Sequence, residues 1–393
     1  MYFVVLALIY LIFIGLGMPD SILGSAWPNM VSEFKFSDLH QSLITIALSI
    51  ATALAGIIGT RLINKLGIGI MMAISTTLAS VSLLLFSFAN SIWAMCVLSI
   101  PLGLGAGIIC AGLNNYVSVN YKSSHVNFLH CFYGAGMMLS PYLLSLTLDA
   151  GGWRQGYLLV FYIYGAISII TILTLPFWKK VKSRKETEEE VKPITLSIKQ
   201  MAKMPAVRWA WVAFFAMSSI EFTCNYWAAT FFVDTLSVAD SVAAGFVTYF
   251  FIGGIASKFI AGIAVSKINA KYVLYTGYAF ELLGITFMFL PLPLTFKVIG
   301  LALIGFGSGP INPTLMSVVP KNFGKDISQS IVSTQMASAN MGLIFGTVLF
   351  AFISDFVSAS VLPYFLLVML CVLALATVLY HKAPKQTSKD IKF

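Results

Sequence analysis

Residues 3–30 read FVVLALIYLIFIGLGMPDSILGSAWPNM, and this stretch decides what kind of chain this is. A membrane helix needs about 20 mostly apolar residues. The stretch exceeds that length, and its single charge is Asp20. Similar runs, bounded by polar and turn residues, continue along the chain. They predict twelve spans, near 3–30, 40–60, 69–90, 92–120, 126–148, 156–178, 206–233, 241–265, 271–291, 295–317, 327–353 and 359–381. Of the 393 residues 59% are apolar and 10% charged, with a mean hydropathy of +0.89. A soluble domain carries about 25% charged residues, so soluble, disordered, collagen-like and disulfide-stapled classes are excluded. Transmembrane strands alternate in polarity over about ten residues. These runs are about twice that length and do not alternate. The expected fold is an all-α membrane protein with twelve transmembrane helices.

Between the sixth and seventh spans lies the only long polar segment, from Lys179 to about Pro205. It reads Lys-Lys-Val-Lys-Ser-Arg-Lys over 179–185, followed by Glu186, Glu188, Glu189 and Glu190, and is expected to be a solvated linker. The predicted organisation is a six-helix bundle over 1–178, a cytoplasmic linker over 179–205, a second bundle over 206–381 and a tail over 382–393. The formal charge of +9 gathers in the segment 179–208, in the tail from Lys382 and in the loop at Lys321 and Lys325. Basic loops beside apolar spans set orientation and meet anionic headgroups. The expected partner of this charge is therefore the lipid bilayer, not nucleic acid. With the N-terminus inside, the outer loops hold only Lys35, Arg154 and Lys297. That bias places both termini and the linker in the cytoplasm of a multi-pass cell-membrane protein. Cys96, Cys110, Cys131, Cys224 and Cys371 all lie within apolar runs and read as small buried residues. The first span lacks a basic n-region and a small-residue cleavage site, and is expected to be retained.

An internal repeat is visible at an offset of 202 residues. Gly103, Gly105 and Gly107 align with Gly305, Gly307 and Gly309, and Arg61-Leu62-Ile63-Asn64-Lys65 aligns with Ile263-Ala264-Val265-Ser266-Lys267. Each match sits at the same place within its six-span half. The halves read as parallel repeats related by an axis along the membrane normal.

Thr60-Arg61-Leu62-Ile63-Asn64-Lys65-Leu66-Gly67, between the second and third spans, resembles the G-x-L-x-D-R-x-G loop of the major facilitator superfamily. Thr60 replaces the usual first glycine and Asn64 the acid, which in that family takes part in a charge relay. Lys258 with Gly262 resembles the basic residue and glycine that the family often places on its eighth span. The resemblance implies two pseudo-symmetric six-helix bundles and gating roles for Arg61, Asn64, Lys65 and Lys258. At finer grain, Gly15 through Asp20, Gly103 through Gly107 with Asn114 and Asn115, and His130 with Tyr133 through Gly136 and Pro141 are similar to the fucose permease-like sugar:proton symporters. Glu221, Asn225 and Trp227 fit that group too. Its members carry protons on a first-span acid, matched here by Asp20, and often on a fourth-span acid, which falls near Ala111 and is missing here.

Four acidic or basic side chains sit well inside spans: Asp20, Glu221, Lys258 and Glu281. A charge at that depth costs about 2.5–3.5 kcal/mol on insertion scales, so such groups face a cavity or a partner. Asp20 and Glu221 lie one residue apart after the 202-residue offset and are the expected proton-coupling pair. Glu281 has no such counterpart, and the nearby basic residues point to a structural ion pair. Amides offer both donor and acceptor to a hydroxyl-rich ligand. This selects Asn114, Asn115, Asn225, Asn312 and Gln335 as substrate-binding candidates. Asn225 shares a helical face with Glu221 at i+4, as Tyr133 does with His130 at i+3. His130, Tyr133 and Trp227 complete the set, the last as a stacking surface for a sugar ring.

Nothing in the sequence resembles a P-loop, a zinc site or a nucleophile–base pair, so the chain is expected to be no enzyme and to need no cofactor or metal. The expected function is symport of a small polar solute, a monosaccharide, with protons, by a monomer working through alternating access. The alternative is proton-coupled efflux of amphipathic drugs. Against it, Gly134-Ala135-Gly136 through Pro141 is spaced differently from the fifth-span pattern of drug antiporters. A sensor built on this fold is a third reading, with only twelve residues after His381 to carry a signalling extension.

Overall fold

A computed structural model describes residues 2–121, 123–178, 194, 196–264 and 269–387. In hydrocarbon every backbone N–H and C=O must be paired internally, which leaves the helix as the solution for long apolar runs. The first six elements are α1 (Tyr2–Phe34), α2 (Asp38–Leu66), α3 (Ile68–Ser87), α4 (Ile92–Asn120), α5 (Ser123–Leu173) and the short α6 (Leu175–Trp178). They are followed by α7 (Ile198–Ala202), α8 (Pro205–Leu236), α9 (Asp240–Ala264), α10 (Ala270–Phe289) and α11 (Leu294–Ser308). The last are α12 (Ile311–Ser317), α13 (Val319–Phe323), α14 (Lys325–Met341), a π-helical turn Gly342–Gly346, α15 (Thr347–Phe356), a 3-10 turn Ala359–Val361 and α16 (Leu362–Lys382).

Ten stretches of this series are long and apolar enough to cross a membrane. The stretch within α5 carries two crossings. They are separated at Gly151 and Gly152, where φ of +70° at Gly152 selects the one residue without a Cβ. A loop was expected there; two glycines make the reversal. The twelfth crossing is α8, where Ser218, Ser219, Glu221, Thr223 and Asn225 dilute an otherwise apolar 32-residue helix. The all-α, twelve-crossing architecture is as the sequence predicts.

By packing, the chain divides into Met1–Glu186 with Tyr226–Thr248, and Thr187–Asn225 with Tyr249–Phe393. In the first unit α1 packs on α5, α2 on α4, and α3 on both α4 and α5. In the second, α10 packs on α11 and α16. The repeat seen in the sequence is built into these crossings. A Cβ at Gly103 or Gly107 would strike the carbonyls of Leu48 and Thr52 on α2, and one at Gly105 would lie 2.7 Å from the carbonyl of Ser75 on α3. In the other unit a Cβ at Gly305 would strike the carbonyl of Phe250 on α9. Cβ atoms at Gly309 and Gly307 would lie 2.6 Å and 2.5 Å from the carbonyls of Gly254 on α9 and Gly277 on α10. Each pair of partners is again 202 residues apart. Small residues at these places let backbones approach where lipid offers no hydrophobic drive for association.

Polar residues gather where helices end. Gly67, with φ of +87°, closes α2, and its N–H donates to the carbonyl of Ile63 at 2.8 Å. Arg61, Asn64 and Lys65 of that last turn are exposed. Lys297 reaches back to cap α10, its Nζ donating to the carbonyls of Met288 (2.7 Å) and Leu290 (2.8 Å). Glu33 accepts from Arg154 Nη1 at 2.5 Å and from Trp153 Nε1 at 2.7 Å, which ties the end of α1 to the glycine turn of α5.

The linker differs from expectation at its end. Residues 179–193 lie outside the described residues, as do 265–268 of the second repeat match and 388–393 of the tail. From Leu196 onward the segment is only partly solvated: one side is covered while Ser197, Ile198, Lys199 and Lys203 remain exposed. Leu196, Met201 and Met204 are buried against Val319, Phe323, Ile327 and Ile331, and Ser197 and Gln200 form a capping box on α7. The basic and acidic run before it drew the whole segment into one polar reading, although these three apolar side chains need cover.

Candidate functional site

In the first unit the site starts from Asp20. Pro19 lacks an N–H and leaves one rung of the α1 ladder unmade beside it. One turn earlier, a Cβ at Gly17 would collide with the carbonyl of Tyr133, and one at Gly136 with the carbonyl of Ile14. The backbones of α1 and α5 therefore touch, and this contact delivers Tyr133 to the acid. Tyr133 Oη donates to Asp20 Oδ2 at 2.5 Å, within the range of a charge-assisted O–H···O bond. Both side chains are half-buried, so the pair keeps an open side. Cys110 on α4, Tyr164 on α5 and Tyr226 on α8 lie within electrostatic reach of Asp20.

The other candidates of this unit are placed less uniformly. Asn114 is half-buried, and its Nδ2 donates to the carbonyl of Cys110 at 2.8 Å, a bond within its own helix. Asn115 and His130 are exposed. Trp227 is buried, with 1% of its surface accessible. Gln41 Nε2 donates to the carbonyl of Tyr226 at 3.2 Å, which anchors that turn of α8 next to α2.

The second unit holds Glu221, Asn225, Glu281, Asn312, Gln335 and Lys258. Glu221 is half-buried and Asn225, one turn on, is fully buried. Behind them, a Cβ at Gly342 would strike the carbonyl of Phe215, and Ser219 Oγ donates to the carbonyl of Gly342 at 3.1 Å. This close contact is made at the π-helical turn, a distortion frequent at functional sites. Gln335 is buried on α14, and its Oε1, like Oδ1 of Asn312, meets no hydrogen-bond donor among the described residues. Buried acceptors are normally paired, so these two oxygens are suited to a donor brought from outside. Lys258 is half-buried on α9.

Glu281 is a correction. The nearby basic residues pointed to an ion pair, but among the described residues the one ion pair is that of Glu33 with Arg154. Glu281 is instead wholly buried, and Ser308 Oγ donates to its Oε1 at 2.6 Å. Glu221 and Cys224 lie within its electrostatic reach. Sequence reasoning also missed Tyr164, Tyr226 and Ser308. The glycines at 17, 136 and 307 were the signal, because each marks where a neighbouring helix comes close.

Two compact all-helical units with matching glycine crossings and a carboxyl inside each define a polytopic membrane protein of the transporter type. The profile of the Major Facilitator Superfamily matches residues 9–326 and 235–393, and the chain belongs to that family, one of transporters and not of enzymes. It is 23% identical over 284 residues to "Bypass of stop codon protein 6" of Saccharomyces cerevisiae, covering 67% of this chain and 55% of that one. The chain thus spans about half the length of the yeast relative. It is 22% identical over 350 residues to the glucose/mannose transporter GlcP of Bacillus subtilis, covering 85% and 84%. It is also 22% identical over 348 residues to the probable nitrate transporter NarT of Staphylococcus epidermidis, covering 80% and 86%. Among solved structures it superposes on a D-xylose-proton symporter with a TM-score of 0.76 at 12% identity, covering 98% of each chain.

Proposed function

We propose that this chain moves a monosaccharide across the cell membrane in symport with protons by alternating access, as a monomer with both termini in the cytoplasm. The observation that carries this reading is the half-buried Asp20 with Tyr133 Oη on one oxygen. A carboxyl that accepts from a phenol and keeps part of its surface open is placed to exchange a proton through that open side. Glu221 is the second proton-coupling acid. Asn225, Asn312 and Gln335 supply amide contacts, the last two with oxygens that a sugar hydroxyl satisfies. Asn114, Asn115, His130 and Tyr133 are the substrate-binding candidates of the first unit, with Trp227, buried in this conformation, as a candidate that a rearrangement would have to uncover. Arg61, Asn64 and Lys65 at the end of α2, and Lys258 within α9, act as gate residues. In this reading the two bundles run over 1–178 and 206–381, joined by the linker over 179–205, a division by sequence that differs from the division by packing.

The amides and tyrosines, and the glucose/mannose transporter among the relatives, support a sugar. A nitrate relative makes an anion the competing substrate, but Asp20 and Glu221 present charge of the wrong sign for one. A ligand that binds the native state raises its melting temperature. Thermal-shift screening of the purified protein against hexoses and pentoses, nitrate, organic acids and cationic dyes at two pH values tests the proposal. Stabilisation led by sugars is expected. A response led by dyes would replace it with drug efflux, and one led by nitrate would replace it with anion transport.

A further inference from the structure

The α10–α11 crossing and its repeat equivalent, the α3–α4 crossing, are built on the same backbone contacts. Gly307 faces the carbonyl of Gly277, as Gly105 faces that of Ser75, 202 residues earlier. Around the second crossing, a Cβ at Gly307 would come within 2.6 Å of Glu281 Cγ and 2.8 Å of Glu281 N. Around the first, a Cβ at Gly105 would meet Ala79 Cβ and N at 3.5 Å. By the same offset, Ala79 stands where Glu281 stands, and Ala106 where Ser308 stands. The first crossing packs with two alanines. Packing therefore does not require an acid and a hydroxyl at these places, and burying an acid without a cation is costly.

The hydrogen bonds of the second crossing add a separate argument. Ser308 Oγ lies 2.6 Å from Glu281 Oε1 and 3.0 Å from the carbonyl of Ile304. A serine hydroxyl has one hydrogen, and it serves one of these two acceptors at a time. Both contacts are satisfied when Ser308 donates to Ile304 and the carboxyl brings a hydrogen of its own. Glu281 Oε2, on the far side of the group, is buried with no hydrogen-bond partner among the described residues. A bare oxygen is tolerable on a neutral acid and costly on a carboxylate.

We propose that Glu281 and Ser308 form a proton-binding site sealed within the second unit and electrostatically linked to Glu221. The step is simple: the carboxylate takes up one proton to become the neutral acid, and Ser308 turns its hydroxyl from Glu281 Oε1 to the Ile304 carbonyl. The groups around it are few. Glu221 and Cys224 approach from α8. Tyr278 lies one turn away on α10, its hydroxyl paired with Thr377 of α16 at 2.7 Å. From α11 only Ser308 contributes, and α12 brings no titratable residue. Lysine, arginine and histidine form no ion pair with Glu281 among the described residues. The site deepens the proton-coupled reading and rests on it for its purpose, but a proton can be detected there without any solute.

The test is infrared difference spectroscopy on the purified full-length protein between about pH 5 and pH 9, reading the C=O band of a protonated carboxyl. Wild type is expected to show such a band from a solvent-shielded acid. Glu281→Gln should remove it, Asp20→Asn should leave it, and Glu221→Gln should move its pH midpoint. The paired variant Glu281→Ala with Ser308→Ala copies Ala79 and Ala106 of the other crossing, so it should fold and lack the band. A solvent-shielded band that survives Glu281→Gln or the paired variant, and is not removed by Asp20→Asn or Glu221→Gln, would overturn the site, and so would its loss in Asp20→Asn or Glu221→Gln. So would a paired variant that cannot fold, since the acid would then be needed for packing, and a midpoint indifferent to Glu221 would overturn the link. Because no substrate is present, none of these results depends on what the protein transports.

Discussion

The crossings α3–α4 and α10–α11 use the same glycine-to-carbonyl contacts, yet one surrounds them with Ala79 and Ala106 and the other with Glu281 and Ser308. The backbone plan is thus repeated while the chemistry is not. Each unit carries one half-buried acid on the opening helix of its repeat, Asp20 on α1 and Glu221 on α8. Among the described residues only the second adds a sealed one, Glu281. Symmetry sets where helices can touch, and the side chains at those contacts set where carboxyls lie and how exposed they are. This division would explain how a chain without a fourth-span acid keeps two accessible carboxyls.

Three variants break or sharpen that comparison. The largest effect is expected for Asp20→Asn, which should abolish uphill accumulation driven by an inward proton gradient while leaving substrate counterflow measurable in liposomes. Uphill uptake at the wild-type level would take Asp20 out of the mechanism. Next comes Glu221→Gln. If protonation of Glu221 favours substrate binding, substrate binding must favour its protonation by the same coupling energy. Affinity measured from about pH 5 to pH 9 should therefore lose its pH dependence in the variant. An unchanged profile would make Glu221 structural. Asn225→Ala is expected to be the smallest of the three. An unpaired donor or acceptor costs about 1–3 kcal/mol, so the dissociation constant should rise about five- to 150-fold with the fold intact. Unaltered affinity would assign Asn225 to helix packing behind Glu221.

Much of the fold was legible because a bilayer restricts the choices: a long apolar run has one way to pair its backbone. The repeat was legible too, since Gly103, Gly105 and Gly107 and their counterparts are places where only the smallest residue fits. Tertiary pairing was harder to read. Asp20 and Tyr133 are 113 residues apart, and no periodicity joins them; their meeting depends on Gly17 and Gly136 removing the Cβ atoms between two backbones. For Glu281, charge content suggested an ion pair, whereas the structure gives it one serine. The end of the linker was misread because charges upstream outweighed Leu196, Met201 and Met204. Composition reports how much must be buried. It does not report which distant residue does the covering.

The central claim is that solute and proton move together, and the most direct test records pH. Purified protein in lightly buffered, de-energised liposomes is given an outside excess of glucose, or of whichever sugar leads the thermal-shift screen. The account predicts that the outer medium turns alkaline as sugar enters, that a protonophore erases the signal, and that Asp20→Asn lacks it. Sugar entry with no change in external pH would contradict the account and leave facilitated diffusion in its place.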